Sequence, residues 1–387
     1  MSIELAIPCH FYEIASCRSC RWLDQPYPVQ LQCKDAELRK WLAPFLTEGI
    51  RFESPVESPL SHFRNRAKMV VTGTQDAPVL GILGADGSGV DLQGCPLYPE
   101  PFRPMFAALV EFIRMAGLEP YDIAKRRGEL KYLLINRSHF DGGMMLRFVL
   151  RSRAKIDAIR KHLPTLLAQM PSVKVVSVNL QPIHMAVLEG EQEIALTDQQ
   201  ALRDQLNDVP LYLRPKSFFQ TNPFVAAALY ATARAWAAEL SARTIWDLFC
   251  GVGGFGLHCA GKDIVLTGIE REAEAIACAE RSAQEMGLSH VRFMALEAAG
   301  FVAGESAAPD LVLVNPPRRG IGTDICCWLQ RMAPDHLIYS SCNAESLAQD
   351  LALLPDYQLA RVQQFDMFPH TAHYETLVLL RHANRGS

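Results

Sequence analysis

Residues 245–256, IWDLFCGVGGFG, constrain this chain more than any other stretch. An apolar run (Ile245, Trp246, Leu248, Phe249) enters a cluster of glycines at 251, 253, 254 and 256, and LHCAG follows. Strand, glycine turn and helix start are the parts of a nucleotide site. Glycine suits such a turn because a ligand approaches the backbone too closely for a Cβ and because the turn takes positive φ. The spacing Gly251-x-Gly253-x-x-Gly256 also fits a dinucleotide fingerprint, so the loop alone leaves the cofactor open. Residues 264–270, IVLTGIE, read as a second strand ending in Glu270. That carboxylate lies about twenty residues past the loop, where ribose hydroxyls are taken.

The region around this loop alternates strand and helix patterns. Strands are expected at 244–249, 264–269, 291–294, 310–314 and 336–340, then near 359–365 and 375–381, with helical stretches such as REAEAIACAERSAQEMG between. This predicts an α/β, Rossmann-like, doubly wound and mostly parallel sheet over 206–387. Ligands of such sheets sit at the carboxyl ends of the strands. There the chain places Asn315-Pro316-Pro317-Arg318, then Ser341-Cys342-Asn343, and FPHTAHYE leading to Glu375. Cys342, at a strand end on the cofactor edge, is a candidate nucleophile.

The texture differs upstream. Residues 51–205 carry short alternating segments (KMVVTGT, LKYLLINRS, KVVSVNLQP) and helical patterns at 101–116 and 153–169, which predicts a small α+β domain with an antiparallel sheet. Residues 1–50 form an N-terminal segment with Cys9, Cys17 and Cys20, then the helical pattern VQLQCKDAELRKWLAPFL. With Cys95, these cysteines suit zinc, an iron–sulfur cluster or plain buried thiols.

The chain has 387 residues, and no apolar run approaches a membrane span. The N-terminus has neither a basic head nor a long apolar segment, so no signal peptide is expected and the cytoplasm is the default location. Eleven cysteines there point to metal or catalysis instead of disulfides. The net charge of −4 does not advertise nucleic-acid binding, yet residues 122–174 hold twelve basic residues against four acids. Such a segment can hold phosphates locally.

These motifs carry a resemblance. The chain resembles the RNA uracil C5-methyltransferases, and the likeness covers essentially the whole sequence. It rests on DLFCGVGGFGLHCA, SFFQTNP (217–223), VLVNPPRRG (312–320), YSSCN (339–343) and HTAHYE (370–375). Within the family it is most similar to the bacterial branch acting on 23S rRNA at a U747-type uracil, whose members lack an extra N-terminal barrel. The resemblance implies S-adenosyl-L-methionine as cofactor, bound by Gln220, Phe249, Gly251, Glu270 and Asn315. It implies Cys342 as nucleophile and Glu375 as the base removing the C5 proton. Cys9, Cys17, Cys20 and Cys95 match ligands of a [4Fe–4S] cluster. The helix near 28–46 is expected to leave the cluster region for the catalytic domain. A flipped-out loop uracil and a monomeric enzyme are expected.

Two departures from the family pattern matter. Relatives often have Asp where this chain has Asn315, which can hydrogen-bond but cannot act as a base, so Asn315 is assigned to binding. The acid expected near the adenine is Glu297. Rival readings are an exocyclic-nitrogen methyltransferase suggested by Asn-Pro-Pro, an NAD-dependent oxidoreductase using the glycine loop, and a non-catalytic, cluster-bearing RNA-binding protein. The first needs no cysteine, and the second leaves Ser-Cys-Asn without a role.

Overall fold

The computed structural model describes residues 5–184 and 187–383. The chain divides into two compact units. Among the described residues, one gathers 5–6, Arg21–Pro59 and 205–383; the other gathers Ile7–Cys20 and Leu60–Asp204. The N-terminal 50 residues are therefore split: the first three clustered cysteines group with the α+β unit and the helix that follows groups with the α/β unit.

The α/β unit is built on an eight-stranded sheet. Its order across the sheet is Arg51–Phe52, Tyr357–Phe365, Glu375–His382, His336–Ser341, Leu311–Val314, Thr244–Leu248, Val265–Glu270 and Arg292–Ala295. Glu375–His382 runs antiparallel to both neighbours, and the other pairings are parallel. Central strands such as LVLV (Leu311–Val314) are buried throughout, as a sheet covered on both faces requires. Helices Thr323–Met332 and Ala344–Ala352 cover one face through Trp328, Leu329 and Leu347, which share a core with Leu248, Val312, Leu337 and Tyr339.

From Thr244–Leu248 the chain winds outward through Val265–Glu270 to Arg292–Ala295, then returns to the other side of its first strand at Leu311–Val314. This reversal opens a crevice at the carboxyl ends of the strands. Phe249, Glu270, Asn315 and Cys342 all stand at those ends, and the antiparallel last strand begins there with Glu375.

Helix Tyr27–Leu42 joins this unit, as the resemblance implies. It buries Gln30, Lys34, Leu38 and Leu42, spaced by four along one face. Leu38 and Leu42 enter the sheet's core.

The α+β unit has a seven-stranded sheet ordered Gly89–Asp91, Pro78–Leu83, Arg66–Gly73, Leu130–Arg137, Met144–Leu150, Val173–Leu180 and Gln192–Ala195. Helices Phe102–Met115 and Ile156–Gln169 pack on one face through Phe106, Phe112, Ile159 and Leu166. One pairing departs from the antiparallel expectation: Met144–Leu150 and Val173–Leu180 are parallel, because helix Ile156–Gln169 carries the chain back across the sheet.

The basic stretch 122–174 lies in this unit, and the fold neutralises part of its charge and buries another part. Arg147 is buried against Glu189 at 2.9 Å and Glu193 at 2.5 Å. Buried Lys131 is held by Gln181 and by the carbonyl of Ile183. Lys125 pairs with Asp122 and Arg151 with Glu129, each at 2.9 Å. Among the described residues, no helix is long and apolar enough to cross a membrane.

Candidate active site

The glycine loop begins where Thr244–Leu248 ends. Phe249 adopts φ 65° and Gly251 φ 54°, so the backbone turns sharply out of the sheet. Gly253, at φ 85°, then starts helix Gly254–Cys259. A Cβ on Gly251 would meet no atom within 4 Å, so the loop faces open space there. The Gly251 N–H donates to Glu270 Oε2 at 3.2 Å, and Glu270 Oε1 accepts from the Glu272 N–H at 3.1 Å. The carboxylate is thus fixed beside the loop at the end of the neighbouring strand.

Asp247 lies beneath the loop and is a residue that motif reading passed over. Its Oδ2 accepts from the Gly256 N–H at 2.8 Å, while its Oδ1 is buried without a hydrogen-bond partner. Burial pushes this carboxyl up to about 7, and the charge of Glu270 adds to the shift. An acid inside a buried strand motif was the available signal.

Gln220 is buried in the segment before helix Pro223–Glu239. Asn222 caps that helix, accepting from the Val225 N–H at 3.3 Å. Its Nδ2 donates to Ser58 Oγ at 2.7 Å and to the Met367 carbonyl at 3.4 Å. SFFQTNP is thereby tied to the loop that leads into Glu375.

Cys342 follows strand His336–Ser341 and is half-buried. Burial pushes its thiol up, the charge of Glu375 pushes the same way, and the charge and hydrogen bond of Arg318 oppose both. Arg318 Nη2 lies 3.4 Å from His373 Nδ1, and the Arg318 carbonyl accepts from Asn343 Nδ2 at 3.3 Å.

Asp350 sets the loop that presents Arg318. It accepts from Tyr339 Oη at 2.6 Å and from the Ile321 N–H at 2.8 Å. Gly320 passes this carboxylate at φ 85°, and a Cβ there would sit 2.2 Å from Asp350 Oδ2. Asp350 lies outside the sequence motifs, and Tyr339, the first residue of YSSCN, has no assigned role in them.

Glu375 is 2% exposed and accepts from Ser340 Oγ at 2.6 Å. Burial lifts its carboxyl to about 7, and the Ser340 bond works against that rise. Tyr230 and Cys342 both feel its charge. The arrangement holds a thiol, a guanidinium that can stabilise its thiolate, and a carboxyl that titrates near neutrality. Glu297, in contrast, is exposed at the start of helix Ala298–Gly304 and makes no capping hydrogen bond.

The four clustered cysteines lie together in the α+β unit. Burial pushes the Cys20 thiol up to about 12, and the charges of Cys95, Cys17 and Cys9 add to it. Cys95 is likewise raised to about 11, with Cys9 and Cys17 contributing. Among the described residues, no group of three or more His, Cys, Asp or Glu side chains is placed to hold a metal ion.

Residues 177–383 match the model of the family described as tRNA (Uracil-5-)-methyltransferase. The chain belongs to this family of RNA uracil-5-methyltransferases. It is 57% identical over 373 residues to the 23S rRNA (uracil(747)-C(5))-methyltransferase RlmC of Salmonella enteritidis, spanning 96% of this chain and 99% of that one. The RlmC of Escherichia coli O157:H7 is 58% identical over 372 residues, with 96% and 99% covered. A solved structure, Pyrococcus abyssi tRNA (uracil-54, C5)-methyltransferase in complex with S-adenosyl-L-homocysteine, matches with TM-score 0.76 at 25% identity, covering 93% of this chain and 85% of that one. The chain is a methyltransferase of the Rossmann-like class, and the NAD-dependent reading is set aside.

Proposed function

We propose that this enzyme methylates C5 of a U747-type uracil in 23S rRNA, acting as a monomer in the cytoplasm. The substrate follows from the relatives above, which carry this activity in their names over nearly their whole length. The single observation that carries the mechanism is the gathering of Cys342, Arg318 and Glu375 at the carboxyl edge of the sheet, where Ser341 pairs with Thr376 and the Arg318 carbonyl accepts from Asn343.

S-adenosyl-L-methionine fits the crevice because Gly251 leaves room beside its backbone and Glu270 offers a fixed carboxylate for ribose hydroxyls. Gln220, Phe249 and Asn315 complete the set. When bound, this cofactor supplies an electrophilic methyl group. Cys342 releases its proton to solvent, with the Arg318 charge favouring the thiolate, which adds to C6 of the flipped-out uracil. The C5=C6 bond breaks toward C5, which becomes an enolate carbon able to take the methyl. Glu375 then accepts the C5 proton, the C5=C6 bond re-forms, and the thiolate leaves. With its carboxyl raised to about 7, Glu375 is about half ionised at neutral pH, and its ionised form is a stronger base than an ordinary carboxylate.

We also propose that Cys9, Cys17, Cys20 and Cys95 hold a [4Fe–4S] cluster. The placement of all four thiols in one unit, with Cys17 and Cys95 packed against the same core, supports that reading. Iron and sulfide in anaerobically purified protein test this; zinc alone overturns it.

The mechanism is tested with Glu375→Gln and labelled RNA. The expected result is a covalent enzyme–RNA adduct that survives denaturation and a turnover loss of about a hundredfold or more. Normal turnover removes Glu375 from the reaction.

A further inference from the structure

The segment Asp366–Tyr374 leads directly into Glu375, and a helix from the start of the chain clamps it. Lys34 and Asp366 are both 0% exposed and lie 332 residues apart in sequence, with Nζ 2.5 Å from Oδ1. Lys34 also donates to the Phe368 carbonyl at 3.2 Å. One turn earlier on the same helix face, Gln30 Oε1 accepts from the His370 N–H at 2.8 Å. Ahead of the helix, the Trp22 N–H donates to the His370 carbonyl at 2.9 Å. Gln30 is itself fixed by Nε2 bonds to the carbonyls of Trp22 and Gln25, both at 2.9 Å. His370 is fully buried at φ 66°, a conformation that a non-glycine residue holds only where its surroundings enforce it.

These contacts are polar where an ordinary helix face would be apolar. A buried ammonium is costly unless paired, and a leucine at position 34 would continue the stripe of Leu38 and Leu42. The ion pair therefore contributes geometry: it fixes Asp366 and the Phe368 carbonyl at one point, and the chain runs from there through His373 and Tyr374 to Glu375. The residues that supply the clamp, Trp22, Gln30 and Lys34, all lie outside the 177–383 span of the family match.

We propose that Lys34 is a positioning residue of the methyl transfer, holding the 366–374 loop so that Glu375 meets the C5 proton. This rests on the reading of Glu375 as base. The ion pair does not touch the cofactor or the RNA; it acts through the loop. Its loss falls chiefly on proton removal, after cysteine addition, because Glu375 follows the loop directly.

The experiment compares wild type, Lys34→Arg, Lys34→Met, the double variant Lys34→Met/Asp366→Leu, and Glu375→Gln. Each is assayed as the full-length protein for kcat, for KM of S-adenosyl-L-methionine, for covalent adduct on denaturing gels and for thermal stability. Lys34→Met leaves Asp366 buried and unpaired, so it loses stability as well as turnover. The double variant removes both charges and restores stability. The expected result is that it still turns over at least tenfold more slowly than wild type, with KM for the cofactor within about twofold and adduct accumulating as in Glu375→Gln. Lys34→Arg, which keeps the charge, recovers part of kcat. A double variant with wild-type turnover makes the pair structural only and overturns the proposal. So does a kcat loss without adduct while Glu375→Gln traps one. Absence of adduct in Glu375→Gln itself removes the base assignment, and the proposal falls with it.

Discussion

Ser340 donates its hydroxyl to the Glu375 carboxylate at 2.6 Å, from the strand antiparallel and adjacent to the one Glu375 begins. The bond opposes the effect of burial and holds the base near 7. Ser340→Ala removes the stabilisation of the charged form. A hydrogen bond to a charged group contributes about 1.5–3 kcal/mol, so the pKa of Glu375 rises by about one unit or more. The acid limb of the kcat–pH profile therefore moves to higher pH, and turnover at pH 7 falls several-fold. An unmoved limb separates Glu375 from the observed ionisation.

Asp247 gives the fold a pH dependence of its own. Its folded pKa is raised to about 7, against about 3.9 in an unfolded chain. Between those values the folded protein keeps the proton that the unfolded chain has released. Stability from this group is full below about pH 4 and declines as pH rises toward 7. Asp247→Asn retains a carbonyl for the Gly256 N–H and cannot ionise. Its thermal midpoint is expected to fall less than that of wild type between pH 5 and pH 8. Parallel curves for the two proteins refute a raised Asp247.

Gly320 has no tolerance for a side chain. Its φ of 85° and the 2.2 Å approach of an added Cβ to Asp350 Oδ2 place two penalties on Gly320→Ala. The expected cost exceeds about 1 kcal/mol in stability. Turnover drops further than stability alone explains, because the loop presenting Arg318 to Cys342 shifts. Chemical denaturation and a single-turnover assay check the two parts separately.

RNA binding should fall most heavily on Arg126 and Arg127. Both are exposed in the turn before strand Leu130–Arg137, while neighbouring Lys125 is paired with Asp122. Replacing both arginines by glutamine is expected to weaken RNA binding and to reduce the slope of log K against log salt by about 1.4, for two single-strand phosphate contacts. Titration at several salt concentrations reads both effects. An unchanged slope moves the RNA surface elsewhere in the molecule.

The α/β unit was readable in the sequence because parallel strands buried on both faces are short apolar runs, and their carboxyl ends are where ligand chemistry collects. IWDL, IVLTGIE, LVLV and HLIYSS each appear as strands within a residue or two of expectation. The placement of Cys342, Glu270 and Glu375 on one edge follows from that topology. The Lys34–Asp366 contact was not legible, since 332 residues separate its partners and both are of types that usually face water. Nor was the fate of the 122–174 charge. Arg147 lies inside that window, but Glu189 and Glu193, which neutralise it, lie outside. Ser340 reads as one more strand residue until the register, which pairs it with Leu377, sets it diagonally across from Glu375.

The most direct test maps 5-methyluridine at single-nucleotide resolution in unmodified 23S rRNA, incubated with labelled S-adenosyl-L-methionine and either wild type or Cys342→Ala. The account predicts a methyl group on C5 of uracil 747 with wild type and none with Cys342→Ala. A methyl group at another nucleotide, or full methylation by Cys342→Ala, contradicts it.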